Sequence, residues 1–265
     1  MWVRFQNIIE ASMAPLGRKA MYELAMLEGE RVLDIGCGCG DSTFEISQLV
    51  GPNGKVVGID ISEMIVATAQ KNTVLKKQHN VNFRCVDAQT HQFDMNEFDA
   101  VFSRFGVMFF DNPIAAFENI RQSLVSGGRM AFVCWQPLKA IEWISLPLEI
   151  VANYVALPPP SQPETPGGFS FGDAGRVDTI LSCAGFVDIS VERFDTKINI
   201  GVNLEEALFF LKHIGPAGTV LNNPDIDSEI KMLFSAELRA ALEPYLTKHG
   251  VELAAATWIV TARNP

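Results

Sequence analysis

Short apolar segments alternate with amphipathic segments from Glu30 to Trp135, and this alternation restricts the fold more than any other feature of the sequence. The apolar segments are rich in Val, Ile and Phe, as is typical of buried strands, and they predict strands at Arg31–Ile35, Lys55–Asp60, Val81–Val86, Phe98–Ser103 and Arg129–Trp135. Helices are predicted between them at Ser42–Val50, Glu63–Lys77 and Pro113–Leu124, and Ser42 and Glu45 have the spacing of a capping box. This order of elements predicts right-handed βαβ units, and therefore a mainly parallel sheet with helices on both faces.

The rest of the chain is less regular. Residues 6–27 predict one or two helices interrupted near Pro15, and the segment after Trp135 contains the helix-breaking run "PPPSQPETPGG". Two late strands are predicted, at Val187–Phe194 and Ala255–Ala262, with a mostly helical stretch between them. We therefore expect a helical segment at 1–29, core segments at 30–136, 173–202 and 249–265, and insertions at 137–172 and 203–248 that form one cap.

The first predicted strand ends in three glycines at alternate positions, Gly36, Gly38 and Gly40, in the sequence "VLDIGCGCGDST". In a parallel α/β sheet, ligands bind beyond the carboxyl ends of the strands, and glycines there let a ligand lie against the bare backbone. The dinucleotide-binding pattern is G-x-G-x-x-G, but here the third glycine comes one residue early and Asp41 occupies its place. A carboxylate at that position competes with a pyrophosphate for the amides of the helix N-terminus, so the spacing disfavours a dinucleotide.

Acidic residues mark the ends of three consecutive predicted strands: Asp34, Asp60 and Asp87. One interpretation is that each acid only caps a strand or forms a turn. Their coincidence with the glycine turn instead indicates a cationic ligand without phosphate, because carboxylates bind ammonium groups and ribose diols well. S-adenosylmethionine has a sulfonium, an ammonium and a ribose diol, and the pattern predicts this cofactor.

Several sequence segments resemble the successive motifs of class I S-adenosylmethionine-dependent methyltransferases, in particular the small-molecule branch that includes the ubiquinone and menaquinone biosynthesis enzymes. Within residues 30–136 they are "VLDIGCGCG", "VVGIDIS", "CVDAQ", "FDAVFSRFGVMFF" and "LVSGGRMAFVCW". The resemblance implies a Rossmann-like α/β fold with a seven-stranded mixed sheet in the order 3-2-1-4-5-7-6, strand 7 being antiparallel. It also implies S-adenosyl-L-methionine as cofactor and S-adenosyl-L-homocysteine as product.

The resemblance further implies binding roles for individual residues. Asp34 and the loop of Gly36, Gly38 and Gly40 are expected to hold the methionine portion of the cofactor. The carbonyl groups at the end of the fourth strand, Ser103 and Arg104, are also expected to face this amino-acid tail. Arg18 is a weaker candidate for the cofactor carboxylate, and a surface arginine is the alternative interpretation.

At the nucleoside end, the resemblance implies that Asp60 binds the ribose hydroxyls and that Ile61 lies against the adenine. Asp87 is expected to accept a hydrogen bond from the adenine amino group, and Ala88 to offer its backbone amide.

The methyl acceptor is less well specified. Transfer from a sulfonium requires alignment and exclusion of water, and it requires a base only where the acceptor loses a proton. The candidate bases are His213 and His91, and a satisfied surface histidine is the alternative interpretation of each. "SRFG" after the fourth strand differs from the Asn/Asp-Pro-Pro-Tyr/Phe motif, and a net charge of −10 disfavours nucleic acid. We therefore expect a small or medium, partly apolar organic acceptor, admitted beneath the cap.

The composition bears on compartment and on metal binding. Five scattered cysteines fit a reducing cytoplasm better than a disulfide framework, and their spacing predicts no metal site. No apolar run approaches the roughly 20 residues that span a bilayer, and the N-terminus lacks the pattern of a signal peptide. The sequence predicts a cytoplasmic enzyme; the alternatives are a non-catalytic S-adenosylmethionine-binding module and an NAD(P)-dependent oxidoreductase.

Overall fold

The computed structural model describes residues 6–159, 162 and 165–265. The first five residues of the predicted segment 1–29 therefore lie outside the described residues, as do four residues of the predicted insertion 137–172. The chain divides into two units, which we call the sheet unit (Ala14–Gln136, Pro163–Phe194 and Thr257–Pro265) and the insertion unit (Met1–Met13, Pro137–Gln162 and Asp195–Ala256).

The strands form one mixed sheet, in the order β3-β2-β1-β4-β5-β8-β6, with the two-residue β7 paired to β8. Their bounds are β1 Arg31–Ile35, β2 Lys55–Asp60, β3 Val81–Cys85, β4 Phe98–Arg104, β5 Leu124–Trp135, β6 Val187–Gly201, β7 Leu246–Thr247 and β8 Gly250–Arg263. Strands β1 to β5 pair in parallel, and β8 runs antiparallel to β5. The predicted fold class is confirmed, and the predicted strand order is reproduced when β7 is set aside, because β8 is then the seventh strand.

The helices lie largely where the periodicity predicts them. Their bounds are α1 Gln6–Leu24, α2 Asp41–Leu49, α3 Glu63–Lys76, α4 Pro113–Ser123, α5 Glu142–Ala152, α6 Ala174–Cys183, α7 Leu204–Leu211, α8 Gly215–Leu221 and α9 Ser228–Leu242. The predicted interruption near Pro15 is wrong, because α1 continues through this proline. Leu16, Ala20 and Leu24 are almost completely buried along the following turns, and this packing offsets the loss of one backbone hydrogen bond.

The sheet unit has its core around the central strands. Residues Val32–Ile35 of β1 and Val101–Ser103 of β4 are buried, so the apolar runs that predict strands are runs buried on both faces. Phe117 of α4 stacks at 5.8 Å from Phe132 of β5. Each such ring contributes about 1.5–3 kcal/mol by leaving water. This rigid layer fixes the carboxyl ends of the strands, where the candidate site lies.

The insertion unit is held together partly by a half-buried acid. Glu142 of α5 accepts hydrogen bonds from the Tyr245 hydroxyl at 2.7 Å and from the Ala254 amide at 2.9 Å. Trp143 and Phe210 are buried, with ring centroids 5.8 Å apart, so both serve in packing. Within the described residues, the structure contains no helix of the length and hydrophobicity that a membrane span requires.

Candidate functional site

The turn between β1 and α2 adopts a conformation that glycine tolerates better than other residues. Gly36, Gly38 and Gly40 have φ angles of 68°, 56° and 95°, a region that L-residues rarely adopt. A Cβ atom at Gly36 would lie 2.7 Å from the Gly106 Cα, and one at Gly40 would lie 2.6 Å from the Phe83 ring. At Gly38 a Cβ atom would have no heavy atom within 4 Å among the described residues. Gly36 and Gly40 are therefore required by internal packing, whereas Gly38 presents bare backbone to open space.

Asp34 lies under this turn and is fully buried. Its Oδ2 atom accepts hydrogen bonds from the hydroxyls of Ser42 and Thr43, each at 2.7 Å. The predicted capping box of Ser42 and Glu45 is therefore wrong, since α2 is capped by Gly40 without a side-chain hydrogen bond. Ser42 instead ties the start of α2 to the end of β1.

The second oxygen of Asp34, Oδ1, is buried and has no hydrogen-bond partner among the described residues. Burial raises the pKa of Asp34 to about 6, while the hydroxyls of Thr43 and Ser42 and the charge of Arg104 act in the opposite direction. The negative charge of Asp60 adds to the rise. A buried carboxylate oxygen without a partner is costly, and a cationic donor satisfies it best.

Asp60 ends β2 and is half-buried beside the same turn. Its Oδ2 atom accepts from the Gly38 amide at 3.2 Å, and its Oδ1 atom accepts from the Ser62 amide at 3.0 Å. Each oxygen keeps further acceptor capacity, because an ionised carboxylate has about four lone-pair sites. The next residue, Ile61, is 74% exposed.

Asp87 and Ala88 follow β3. The Val86 amide donates to the Asp60 carbonyl at 3.1 Å, so this segment runs on beside the end of β2. Asp87 is exposed and accepts a hydrogen bond from the Gln89 amide at 2.8 Å. This contact is the one expected if Asp87 only forms a turn, which is the alternative interpretation of the three acids. Ala88 is buried.

Ser103 and Arg104 end β4 on the other side of the turn. The buried Ser103 hydroxyl donates to the Ile35 carbonyl at 2.8 Å and accepts from the Gly106 amide at 3.2 Å, so it joins β4 to β1. Arg104 packs closely on Gly17, where a Cβ atom would lie 2.8 Å from the arginine Cδ. The sequence reasoning missed Gly17 and Gly106, because no local pattern shows which distant segment packs on them.

The structure settles the environment of the weaker candidates. Arg18 is 62% exposed and forms an ion pair with Glu45 at 2.6 Å, as the surface interpretation expects. The His91 ring packs edge-on against Phe93 at 4.8 Å. His213 belongs to the insertion unit, and its Nδ1 lies 2.7 Å from the Phe209 carbonyl oxygen. The role of either histidine as a base stays a prediction.

Sequence reasoning also missed an aromatic pair beside the end of β4. Phe105 has a φ angle of 59°, although a left-handed conformation costs an L-residue about 1–2 kcal/mol. Its amide donates to the Val133 carbonyl at 3.0 Å, and its ring stacks on Trp135 with centroids 4.2 Å apart and planes 15° apart. No signal in the sequence predicts this backbone conformation for a phenylalanine.

A cavity of about 490 Å³ opens at the opposite edge of the sheet, at the amino ends of β1, β2 and β3. Its lining includes Arg31, Lys55 and Val81, the first residues of these strands. None of the predicted site residues lines this cavity.

The residues at the carboxyl edge fit a sulfonium cofactor better than a dinucleotide. Asp34 has a buried oxygen without a hydrogen-bond partner among the described residues, and a Cβ atom at Gly38 would meet open space. Asp60, bound to the Gly38 amide, brings a second carboxylate to the turn. At the first position of α2 stands Asp41, a carboxylate that would repel a pyrophosphate. The fold and this acidic, glycine-lined turn define a Rossmann-like protein whose site suits a cationic nucleoside.

The comparisons with known proteins agree with this class. Residues 27–142 match the family described as a methyltransferase domain. Aklanonic acid methyltransferase DauC from Streptomyces sp. (strain C5) is 36% identical over 118 residues, which are 44% of this chain and 54% of that protein. Demethylmenaquinone methyltransferase from Staphylococcus carnosus (strain TM300) is 28% identical over 201 residues, which are 72% of this chain and 82% of that protein. The match thus spans about half the length of the first relative and most of the second.

Among solved structures, phosphoethanolamine N-methyltransferase 2 from Haemonchus contortus, in complex with phosphomonomethylethanolamine and S-adenosylhomocysteine, superposes with a TM-score of 0.58. The likeness covers 95% of this chain and 52% of that chain at 19% identity, and it is a likeness of fold. Residues 27–142 form a methyltransferase domain, and the resemblance to S-adenosylmethionine-dependent methyltransferases is confirmed. The predicted cofactor, S-adenosylmethionine, is that of this family.

Proposed function

We propose that this protein is an enzyme that transfers a methyl group from S-adenosylmethionine to a small or medium, partly apolar organic acceptor by in-line displacement. The observation that carries the proposal is the pair of carboxylates at the glycine turn: Asp34, with one buried oxygen lacking a partner, and Asp60, bound to the Gly38 amide. The two relatives described above support the acceptor class, because both are named for small organic acceptors.

At the amino-acid end, Asp34 would accept a hydrogen bond from the cofactor ammonium through its Oδ1 atom. The Gly38 backbone would let the methionine portion approach without meeting a side chain, since a Cβ atom there has open space around it. The backbone carbonyls of Ser103 and Arg104, at the end of β4, would complete this end of the site.

At the nucleoside end, Asp60 would accept hydrogen bonds from the ribose diol with the lone pairs that the Gly38 and Ser62 amides leave available. Ile61 supplies an exposed apolar surface for one face of the adenine. Asp87 would accept from the adenine amino group, and Ala88 would offer its amide. The exposure of Asp87 makes it the weakest of these contacts, because solvent competes for its hydrogen bonds.

When bound, S-adenosylmethionine supplies an electrophilic methyl group on a positively charged sulfur. The task of the chain is therefore to bind, align and exclude water, which lowers the barrier by pre-organising the reacting groups. A proton acceptor is needed only where the acceptor atom carries a proton at neutral pH. His91 and His213 remain the candidates for that step.

Isothermal titration calorimetry with S-adenosylmethionine, S-adenosylhomocysteine and NAD tests the cofactor assignment. We expect micromolar dissociation constants for the first two ligands and no heat with NAD. Binding of NAD alone would instead identify an oxidoreductase.

Catalysis is tested separately, by incubating the protein with methyl-labelled S-adenosylmethionine and the small-molecule fraction of a cell extract. We expect label in an organic product with the unaltered protein and none with Asp60→Ala at the same cofactor concentration. Tight cofactor binding without any transfer would identify a non-catalytic binding module.

A further inference from the structure

At the amino ends of β1, β2 and β3, one face of the sheet carries charged side chains. The opposite face is packed, because Phe83 of β3 belongs to an apolar cluster with Phe44 of α2 and with Val66 and Ala69 of α3. Successive strand residues point to opposite faces, so Arg84 lies on the face that these helices do not cover. Parallel strands are ordinarily buried on both faces, and this charged face departs from that pattern.

The strand register places two more cations on the same face. Gly58 of β2 pairs with Phe83, and a Cβ atom at Gly58 would lie 2.7 Å from the Phe83 ring, so Gly58 belongs to the packed face. Lys55 precedes Gly58 by an odd number of residues and therefore lies on the other face, where Arg31 of β1 is its partner in register. The described connection from β3 to β4, at 86–97, contains no helix, so no crossover helix of this connection covers the charged face.

The cavity of about 490 Å³ lies at this charged face, and its volume is in the range of small-molecule sites. Three side chains that are cationic at neutral pH line it: Arg31, Lys55 and Arg84. Glu97 is the one acid among the described residues of the lining. The chain as a whole has a net charge of −10, so this excess of cations is local and opposite in sign to the overall charge. A concave surface with this charge attracts an anion.

Neighbouring acids neutralise these cations only in part. Arg31 donates to both carboxylate oxygens of Asp99, at 2.9 and 3.1 Å. Arg84 Nη2 lies 3.6 Å from Glu97 Oε1, which is beyond hydrogen-bond distance. The Lys55 ammonium is exposed and forms no ion pair with a described residue. A guanidinium has five N–H donors and an ammonium has three, so donors remain available on all three side chains.

We propose that this cavity binds a small molecule through a phosphate group, at a site separate from the one assigned to the cofactor. A phosphate has a charge of about −2 and three terminal oxygens, so it can accept from donors carried by three neighbouring strands. A carboxylate is flat and is matched by a single arginine, as Asp99 is by Arg31. Strands β1 and β2 run from this cavity towards Asp34 and Asp60, so the phosphate ligand and the cofactor would bind at opposite edges of the sheet.

The test is a calorimetric titration with sodium pyrophosphate, without divalent metal, in about 0.1 M sodium chloride, where charges more than about 10 Å apart are largely screened. We expect saturable binding, and equally tight binding to protein saturated with S-adenosylhomocysteine, because the two sites are separate. Malonate, a dicarboxylate, should bind about tenfold more weakly than pyrophosphate. The proposal is overturned if pyrophosphate does not bind, if S-adenosylhomocysteine displaces it, or if malonate binds equally well.

Lys55→Glu locates the site, since reversing this charge should weaken pyrophosphate binding about tenfold. The matched control is Lys71→Glu, which makes the same change of net charge on α3, a helix that covers the other face of the sheet. Its affinity for pyrophosphate should change by about twofold at most. Both lysines are exposed, so both variants should fold, and circular dichroism checks this. Equal losses in the two variants would assign the binding to net charge alone and would also overturn the proposal.

Discussion

Two carboxylates at the ends of neighbouring strands, Asp34 on β1 and Asp60 on β2, have opposite environments although they serve the same turn. Asp34 is fully buried, and one of its oxygens has no partner among the described residues. Asp60 is half-buried, and each of its oxygens accepts a hydrogen bond from a backbone amide. The fold itself supplies hydrogen-bond donors to both oxygens of Asp60. It leaves one oxygen of Asp34 without a donor among the described residues.

The consequence for stability follows from the pKa of Asp34. The folded pKa is about 6 and the model-compound value is 3.8, so the folded state binds the proton more tightly than the unfolded state does. The favourable contribution of this group is fully present below pH 3.8 and is lost as pH rises towards 6. At neutral pH the buried charge therefore destabilises the unliganded fold by on the order of 2–3 kcal/mol. A cationic ligand at Oδ1 would offset this cost.

The largest expected effect is the loss of cofactor affinity when Asp60 is replaced. Asp60→Ala removes the proposed ribose acceptor and the partner of the Gly38 amide together, so we expect cofactor affinity to fall by about 100-fold. Calorimetry with S-adenosylhomocysteine measures it, and circular dichroism checks that the fold persists. An unchanged dissociation constant would show that the ribose does not bind here.

Asp34→Asn probes the destabilised acid and should separate stability from binding. Neutralising the buried charge should raise the free energy of unfolding of the unliganded protein by about 2 kcal/mol at pH 7.5, and it should weaken cofactor binding by about tenfold. Urea unfolding and calorimetry measure the two quantities. A variant that is less stable than the unaltered protein would contradict the account of Asp34.

The pH dependence of cofactor affinity should sharpen the same contrast. Protonated Asp34 cannot accept from an ammonium at Oδ1 as a carboxylate does, so lowering the pH below about 6 should weaken binding, by about tenfold between pH 7.5 and pH 5. The same titrations of Asp34→Asn serve as the control, and the cofactor affinity of this variant should not change over this pH range. An equal slope in both proteins would assign the titration to another group.

The smallest expected effect concerns Asp87, the exposed acid at the end of β3. Asp87→Asn keeps an oxygen that can accept from the Gln89 amide, so the turn should persist, and we expect cofactor affinity to fall only about twofold to threefold. The same calorimetric titration measures this change. A loss as large as that of Asp60→Ala would break the ranking of the acids by their environment.

Much of the fold could be predicted because its signals are local. Strands β1 and β2 lie at their predicted bounds, since a buried apolar run ending in glycine or aspartate is visible within about six residues of sequence. The turn is compatible with its residue types, because glycine adopts the positive φ angles seen at Gly36, Gly38 and Gly40 without strain.

Other features could not be predicted, because they depend on segments far apart in the chain. Ser42 could form a capping box or bind Asp34, and only the buried position of that carboxylate decides between them. The close packing of Gly106 on Gly36 joins positions 70 residues apart in the printed sequence, and no local period encodes it.

The sequence by itself determined the class of fold, because hydrophobic periodicity and glycine conformation act over a few neighbouring residues. The strand order and the family of residues 27–142 came from the resemblance of its motifs to known methyltransferases. Only the tertiary structure decided which acid is buried and short of a partner, and that a phenylalanine takes a left-handed turn against Trp135. Burial and stacking are properties of what surrounds a residue, and those surroundings come from chain segments that meet only when the protein folds.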